Sequence, residues 1–123
     1  MDFDPVNRLI TNNAANKLLL FNEKLRELDR EVPGQVVATL LYIASRNNCH
    51  KIAIEEDLEF STASVSRNIQ RLEGFGLVEK YQEEGSRRLL CKLTAKGKVF
   101  TDQLLSIIYD WNHYVARRHE FHV

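Results

Sequence analysis

The shortages of this sequence exclude several protein classes. Two cysteines in 123 residues, Cys49 and Cys91, are too few for a disulfide framework, and both read as reduced structural thiols. Only two prolines occur, Pro5 and Pro33, and each stands where a helix could begin. No apolar run approaches the length needed to span a bilayer. The opening MDFDPVNRL carries acids where a secretory leader carries basic residues, so a cytoplasmic location and no membrane partner are expected. A Gly-rich phosphate loop, a nucleophile elbow and a complete metal motif are all missing, so no enzyme activity, no metal and no cofactor are expected. Net charge is missing too: 17 basic and 17 acidic residues balance. Taken alone, that balance argues mildly against nucleic acid, whose binders usually carry a basic surplus.

What is present is an ordinary globular composition, 44% hydrophobic and 28% charged, of a length that suits one domain. The charges are unevenly spread. Gly85 to Lys98 holds five basic residues (Arg87, Arg88, Lys92, Lys96, Lys98) and no acid. Ser61 to Leu72 holds two arginines and no acid, whereas Glu55 to Glu59 holds four acids in five residues. A neutral chain can present one basic face.

Hydrophobic periodicity sets the elements. Ile10, Ala14, Leu18, Phe21, Leu25 and Leu28 recur at steps of three and four, which predicts a helix over 5–29. Leu19 and Leu20 widen its stripe, and a partner surface and packing within the monomer remain equal readings of that excess. After Pro33-Gly34, residues 35–46 predict a helix that is apolar nearly all round, hence central and buried. Asn47-Asn48 reads as a turn, 51–54 as a short strand and 54–58 as a short acidic helix. Ser61 is a good N-cap for a helix over 62–73, with Val65, Ile69 and Leu72 on one face. Gly74 and Gly76 stop it. Leu77–Gln82 and Arg88–Leu93 form a hairpin around Glu83-Glu84-Gly85-Ser86. Thr94 caps a last helix over 94–118, with Phe100, Leu104, Ile107, Ile108, Trp111 and Val115 at helical spacing.

The predicted fold class is mainly α with a small antiparallel β hairpin: a winged helix-turn-helix. Residues 1–123 make a single winged-helix domain, with a DNA-binding core over 50–93, recognition helix 62–73 and wing 77–93. Helices 5–29 and 94–118 are the expected dimerisation elements. A recognition helix needs small and polar residues near its start. Thr62, Ser64, Ser66 and Asn68 can exchange hydrogen bonds with base edges, and Arg67 and Arg71 can reach guanines or phosphates. A basic hairpin tip beside it, with Arg87 and Arg88, suits minor-groove or phosphate contact. Lys92 adds to that tip, with nothing acidic to pair locally in sequence. The ordinary alternative for such a helix is a solvated surface face.

The stretch FSTASVSRNIQRLEGFGLVEKYQEEGSRRLLCKLTAKGK resembles the core of the MarR family of winged-helix transcription regulators. Three pieces carry the resemblance: S-T-x-S-x-S-R-x-I-x-R-L-E in the recognition helix, G-L-V-E-K leading into the wing, and L-T-A-K-G opening the last helix. The resemblance covers about 54–98 and implies a sequence-specific double-stranded DNA-binding regulator. It also implies a homodimer built from the terminal helices, and Arg87 as the wing arginine. The family often has an acidic residue two positions before that arginine, where Gly85 stands here, so the usual orientation of Arg87 does not carry over directly, and Arg88 is the alternative to it.

A protein-interaction module without DNA binding and a ligand- or redox-switched regulator are the competing readings, and no effector can be named. His113, His119, His122 and Glu120 read as a polar tail rather than a metal site. Cys49-His50 reads as a turn or buried thiol rather than a redox pair. Glu55, Glu56, Asp57 and Glu59 read as a solvated face. Phe21, Tyr42, Tyr109, Trp111 and Tyr114 read as core or dimer interface rather than an aromatic effector pocket.

Overall fold

The computed structural model describes the backbone of residues 5–121 and the side chains of residues 13–109. Its elements run α1 (Pro5–Leu25), α2 (Gly34–Arg46), β1 (Asn48–His50), α3 (Lys51–Leu58), α4 (Thr62–Gly74), β2 (Val78–Gln82), β3 (Leu89–Leu93) and α5 (Ala95–Phe121). Five helices and a three-stranded antiparallel sheet in the order β1-β3-β2 make a winged helix.

The chain packs as two compact units. One comprises Glu31–Thr101 and contains α2, the helix-turn-helix pair α3–α4 and the whole sheet. The other joins the two ends of the chain, with α1 and the part of α5 from Asp102 onward.

In the first unit α2 is the central helix. Pro33 takes the N-cap position, and its carbonyl accepts from the N–H groups of Val36 (2.9 Å) and Val37 (3.2 Å). Val36, Leu40 and Ile43 are buried together with Ile54 of α3, Val65, Ile69 and Leu72 of α4, and Leu77. Each such side chain contributes about 1.5–3 kcal/mol of transfer free energy. That core seats α4 with one face inward and the opposite face in solvent.

Several boundaries differ from the sequence reading, and the last helix runs to Phe121 rather than 118. The short strand lies at Asn48–His50, not 51–54, and α3 begins at Lys51. Asn47 takes a positive φ of 64° that turns the chain out of α2, and the next three residues pair with Lys92, Cys91 and Leu90 of β3. Ile54, expected where the strand gives way to the short helix, is fully buried within that helix. The first helix ends at Leu25 rather than Asp29. Glu27 and Leu28 donate to the carbonyls three residues back (3.1 and 3.0 Å), so the chain leaves the α-helix through tightened turns.

In the second unit Leu25 and Leu104 are buried, whereas Leu18, Leu19 and Leu20 are 57%, 61% and 51% exposed. Leu105 and Tyr109 of α5 are exposed as well. The expectations for the side chains of Ile10, Trp111 and Val115 lie outside the described residues. No helix among the described residues is long and apolar enough to cross a membrane.

Candidate nucleic-acid interface

The helix-turn-helix starts at a left-handed residue. Glu59 closes α3 with φ 55° and ψ 39°, its N–H donating to the Glu55 carbonyl, and Phe60 donates to the same carbonyl at 3.2 Å. Lys51, at the start of α3, holds Glu55 and also the Thr62 carbonyl, each at 3.4 Å. Ser61 then caps α4: its Oγ accepts from the Ser64 N–H at 3.1 Å and donates to the Ser64 Oγ at 2.9 Å.

Along α4 the expected site residues divide. Thr62, Ser66 and Arg67 are exposed, and Gln70 joins them on the outer face. Ser64 is half-buried, and its hydroxyl and N–H are engaged in the cap. Asn68 does not face outward. It is only 8% exposed, and its Nδ2 donates to Thr39 Oγ1 (3.3 Å) and Gln35 Oε1 (3.5 Å) of α2. The expectation that Asn68 faces a groove is therefore corrected. Its position explains this: three residues after Val65 and four before Leu72, it lies on the docking stripe. Arg71 is corrected in part. It is half-buried, its Nη2 donates to the Glu31 carbonyl at 2.9 Å, and its guanidinium lies 5.8 Å from the Phe75 ring.

The wing is an antiparallel hairpin with Glu79 opposite Lys92 and Gln82 opposite Leu89. At its tip Gly85 has φ 76°, a conformation glycine adopts without steric penalty. Glu83 donates to the Arg88 carbonyl (3.1 Å) and Ser86 to the Glu83 carbonyl (3.0 Å). Ser86, which carries no signal of its own in the sequence, organises the tip further. Its carbonyl accepts from Gln82 Nε2 and its Oγ from the Arg88 N–H, both at 3.1 Å. The tip is thus held by backbone bonds and by the Gln82 and Ser86 side chains, leaving Arg87 and Arg88 exposed.

Lys92 is not an unpaired cation: the strand register sets it 3.3 Å from Glu79, with its ammonium 5.1 Å from the Tyr81 ring centre. Lys80 pairs with Glu73 at 3.5 Å, and Lys96 donates to the Phe75 carbonyl at 2.9 Å. By contrast, the side chains of Arg67, Arg87 and Arg88 have no carboxylate or carbonyl partner among the described residues. Free guanidinium groups on α4 and on the wing are suited to phosphate oxygens and base edges.

The base of the wing is locked to α5. Thr94 donates from its N–H to the Leu77 carbonyl (3.0 Å) and from its hydroxyl to the Gly76 carbonyl (2.5 Å), while its Oγ1 accepts from the Gly97 N–H (2.9 Å). A Cβ built on Gly97 would lie 1.9 Å from the Leu77 carbonyl oxygen. G-L-V-E-K and L-T-A-K-G are therefore two sides of one joint.

Several of the other candidates are engaged in the fold. Cys49 and Cys91 are free, buried and opposite one another across β1 and β3. Burial pushes the Cys49 thiol up, against a lowering effect of Arg46, and pushes Cys91 up to about 12, so both stay protonated at neutral pH. Tyr42 donates to Asp57 at 2.5 Å, and this hydrogen bond, with burial second, raises its pKa. Asp57 and Glu55 are thus engaged in the fold. An open groove of about 450 Å³ runs past Tyr42, Ser45, Arg46 and Asp57, with Arg46 stacked 4.0 Å from the Tyr42 ring. Among the described residues no three His, Cys, Asp or Glu side chains come together as a metal site. His113, His119, Glu120 and His122, and the aromatic rings of Trp111 and Tyr114, lie outside the described side chains.

No family model matches the chain. It is 29% identical over 79 residues to the HTH-type transcriptional regulator BilQ of Clostridioides difficile (strain CD3). That match takes 63% of this chain and 53% of the relative, so the chain spans about half the length of the curated relative it matches. The S. aureus MepR–DNA complex superposes with a TM-score of 0.72 at 19% identity, over 96% of this chain and 94% of that one. A mutant MarR from E. coli complexed with operator DNA superposes with a TM-score of 0.62 at 24% identity, over 93% and 81%. The likeness to the MarR family read from residues 54–98 holds in the architecture: this chain has the winged-helix fold of MarR and MepR.

Proposed function

We propose that this chain is a sequence-specific double-stranded DNA-binding transcriptional regulator that acts as a homodimer in the cytoplasm. The observation that carries this reading is that three exposed arginines on adjoining elements, Arg67 on α4 and Arg87 and Arg88 on the wing, have side chains with no carboxylate or carbonyl partner among the described residues. Neighbouring cations such as Lys80, Lys92 and Lys96 are tied into the fold. A net-zero protein can thus offer an unneutralised basic face. The names of its relatives support the reading: BilQ is a transcriptional regulator, and solved complexes of MepR and MarR contain DNA.

In this mechanism α4 enters the major groove with Thr62, Ser66 and Arg67 at base edges, and the Ser61–Ser64 cap brings the helix start close to the backbone. Arg87 and Arg88 hold the flanking phosphates or minor groove. The exposed leucines 18–20 of α1, with Leu105 and Tyr109 of α5, supply apolar surface for a second copy. Residues 1–123 then work as one winged-helix domain per subunit, with two recognition helices about 34 Å apart over a pseudo-palindrome. No metal, cofactor or catalytic step enters this reading.

The test is fluorescence anisotropy against a random-duplex pool between about 50 and 200 mM salt. Wild-type affinity should fall steeply with salt. Arg67→Ala should weaken binding to a duplex selected from the pool by about 1–3 kcal/mol, if it makes a bidentate base contact. Arg87→Ala should weaken binding to all sequences alike and reduce the salt slope by about 0.9 for each phosphate left unneutralised. Absence of binding at low salt would instead support a protein-interaction module using the same surface.

A further inference from the structure

The Asn68 side chain poses a question that the DNA-binding reading leaves open. A primary amide is buried to 8% exposure on the docking face of α4, beside a hydroxyl, Thr39, that is fully buried in α2. Leaving polar groups in a core is unfavourable unless they are bonded, and an apolar pair of similar shape would serve cohesion as well. These groups are bonded in one direction. The Thr39 hydroxyl donates to the Gln35 carbonyl at 2.7 Å, which leaves its oxygen free to accept from Asn68 Nδ2 at 3.3 Å. Asn68 Nδ2 also donates to Gln35 Oε1 at 3.5 Å. One amide thus reaches both side chains of an i, i+4 pair on α2.

We infer that Gln35, Thr39 and Asn68 form a polar clamp that fixes the rotation of α4 about its own axis, and so the aim of the adjacent Arg67. The inference rests on the reading of α4 as a DNA-recognition helix. The apolar stripe of Val65, Ile69 and Leu72 holds α4 against the core, but hydrophobic contact is non-directional. Hydrogen bonds are directional and lose strength steeply off axis. A roll of about 15° displaces a point about 6 Å from the helix axis by about 1.5 Å, enough to undo a bidentate base contact. Arg71, one turn beyond Arg67 and bonded to the Glu31 carbonyl, ties the same edge of α4 to the chain leading into α2. Asn68 is accordingly a positioning residue rather than a base reader.

The experiment compares wild type with Thr39→Val, which keeps the shape and removes the hydroxyl, Thr39→Ser, which restores the hydroxyl, and Asn68→Leu. Each is titrated against a random 20-bp duplex pool and against a duplex selected from that pool with wild-type protein, alongside thermal unfolding. The clamp predicts that Thr39→Val and Asn68→Leu lose about tenfold in affinity for the selected duplex, the scale of one misaligned base contact. Their affinity for the random pool and their salt slope stay unchanged, and Thr39→Ser behaves as wild type. The loss should spread over all base pairs that α4 faces.

Two outcomes overturn the inference. In one, Asn68→Leu relaxes preference at a single base pair while Thr39→Val is silent, which makes Asn68 a base reader. In the other, melting temperature and both affinities fall together, which makes the network structural only. If wild type binds neither duplex, the DNA reading itself fails, and hydrogen exchange in the free protein decides the clamp. Faster exchange of α4 amides in Thr39→Val and Asn68→Leu, but not in Thr39→Ser, with α5 unchanged, retains it; exchange equal to wild type in α4 removes it.

Discussion

The base and the tip of the wing are both built on glycine, for opposite reasons. At the base, Gly97 is required by what lies against it: the Leu77 carbonyl occupies the space a side chain would need. At the tip, Gly85 has nothing within 4 Å and is required by its own backbone, at φ 76°. The base is a packed joint in which Thr94 bonds to Gly76, Leu77 and Gly97, whereas the tip is a hydrogen-bonded turn that holds two arginines in solvent. One glycine therefore belongs to folding and the other to presentation. The same chemistry at two ends of one hairpin should respond to mutation on two different scales.

The largest effect is expected from Gly97→Ala. A methyl group 1.9 Å from a backbone oxygen forces α5 and the 76–77 segment apart, and the obstacle is main chain that no rotamer change relieves. Overpacking of this kind destabilises by about 3 kcal/mol or more. Urea or thermal unfolding should show it directly, and a Gly97→Ala protein as stable as wild type would show that the joint is looser than its geometry. Gly85→Ala should destabilise by about 1 kcal/mol, the penalty of a left-handed L-residue without a clash. On the DNA reading its functional effect should exceed its thermal one: a turn that relaxes away from φ 76° redirects Arg87 and Arg88 and weakens random-duplex binding while the protein remains folded. If Gly85→Ala leaves duplex affinity intact, the tip conformation does not matter for how the arginines are presented.

This contrast also separates what is legible in the sequence from what is not. Helix α4, its Ser61 cap, the hairpin and the Thr94 cap are legible because each is announced locally, by a 3.6-residue period, a hydroxyl before an apolar run, or a glycine in a turn. Strand β1 is misplaced by a sequence reading because its three residues carry no pattern of their own. They are a strand only because β3, some forty residues on, offers them a ladder. Lys92 reads as free for the same reason: only the register reveals Glu79 opposite it. Asn68 is a different case. The signal is available, since its spacing from Val65 and Leu72 puts it on the docking stripe, but its polarity outweighs its position when the helix is read for hydrogen-bonding groups. Gly97 is visible as part of L-T-A-K-G, yet the reason for it, a carbonyl from twenty residues earlier, belongs to tertiary structure.

The smallest effect expected runs in the stabilising direction and extends the comparison to the other side of α4. Glu59 occupies at the α3–α4 turn the kind of left-handed position that Gly85 occupies at the wing tip, with φ 55°, but without glycine's freedom. Helix ends with this geometry favour glycine, and a glutamate there is strained. Glu59→Gly should therefore raise stability by about 0.5–1 kcal/mol, or about 2–5 °C in Tm. Its carboxylate is also exposed two residues before the Ser61 cap, close to where phosphates would approach α4. Glu59→Gln separates the two contributions, because it removes the charge and keeps the backbone preference of a long side chain. On the DNA reading both variants should bind random duplex more tightly at low salt, with the advantage fading as salt screens the lost repulsion, while only Glu59→Gly gains in Tm. If Glu59→Gly instead melts earlier than wild type, the left-handed turn is held by the glutamate side chain, and the likeness between the two turns stops at their dihedral angles.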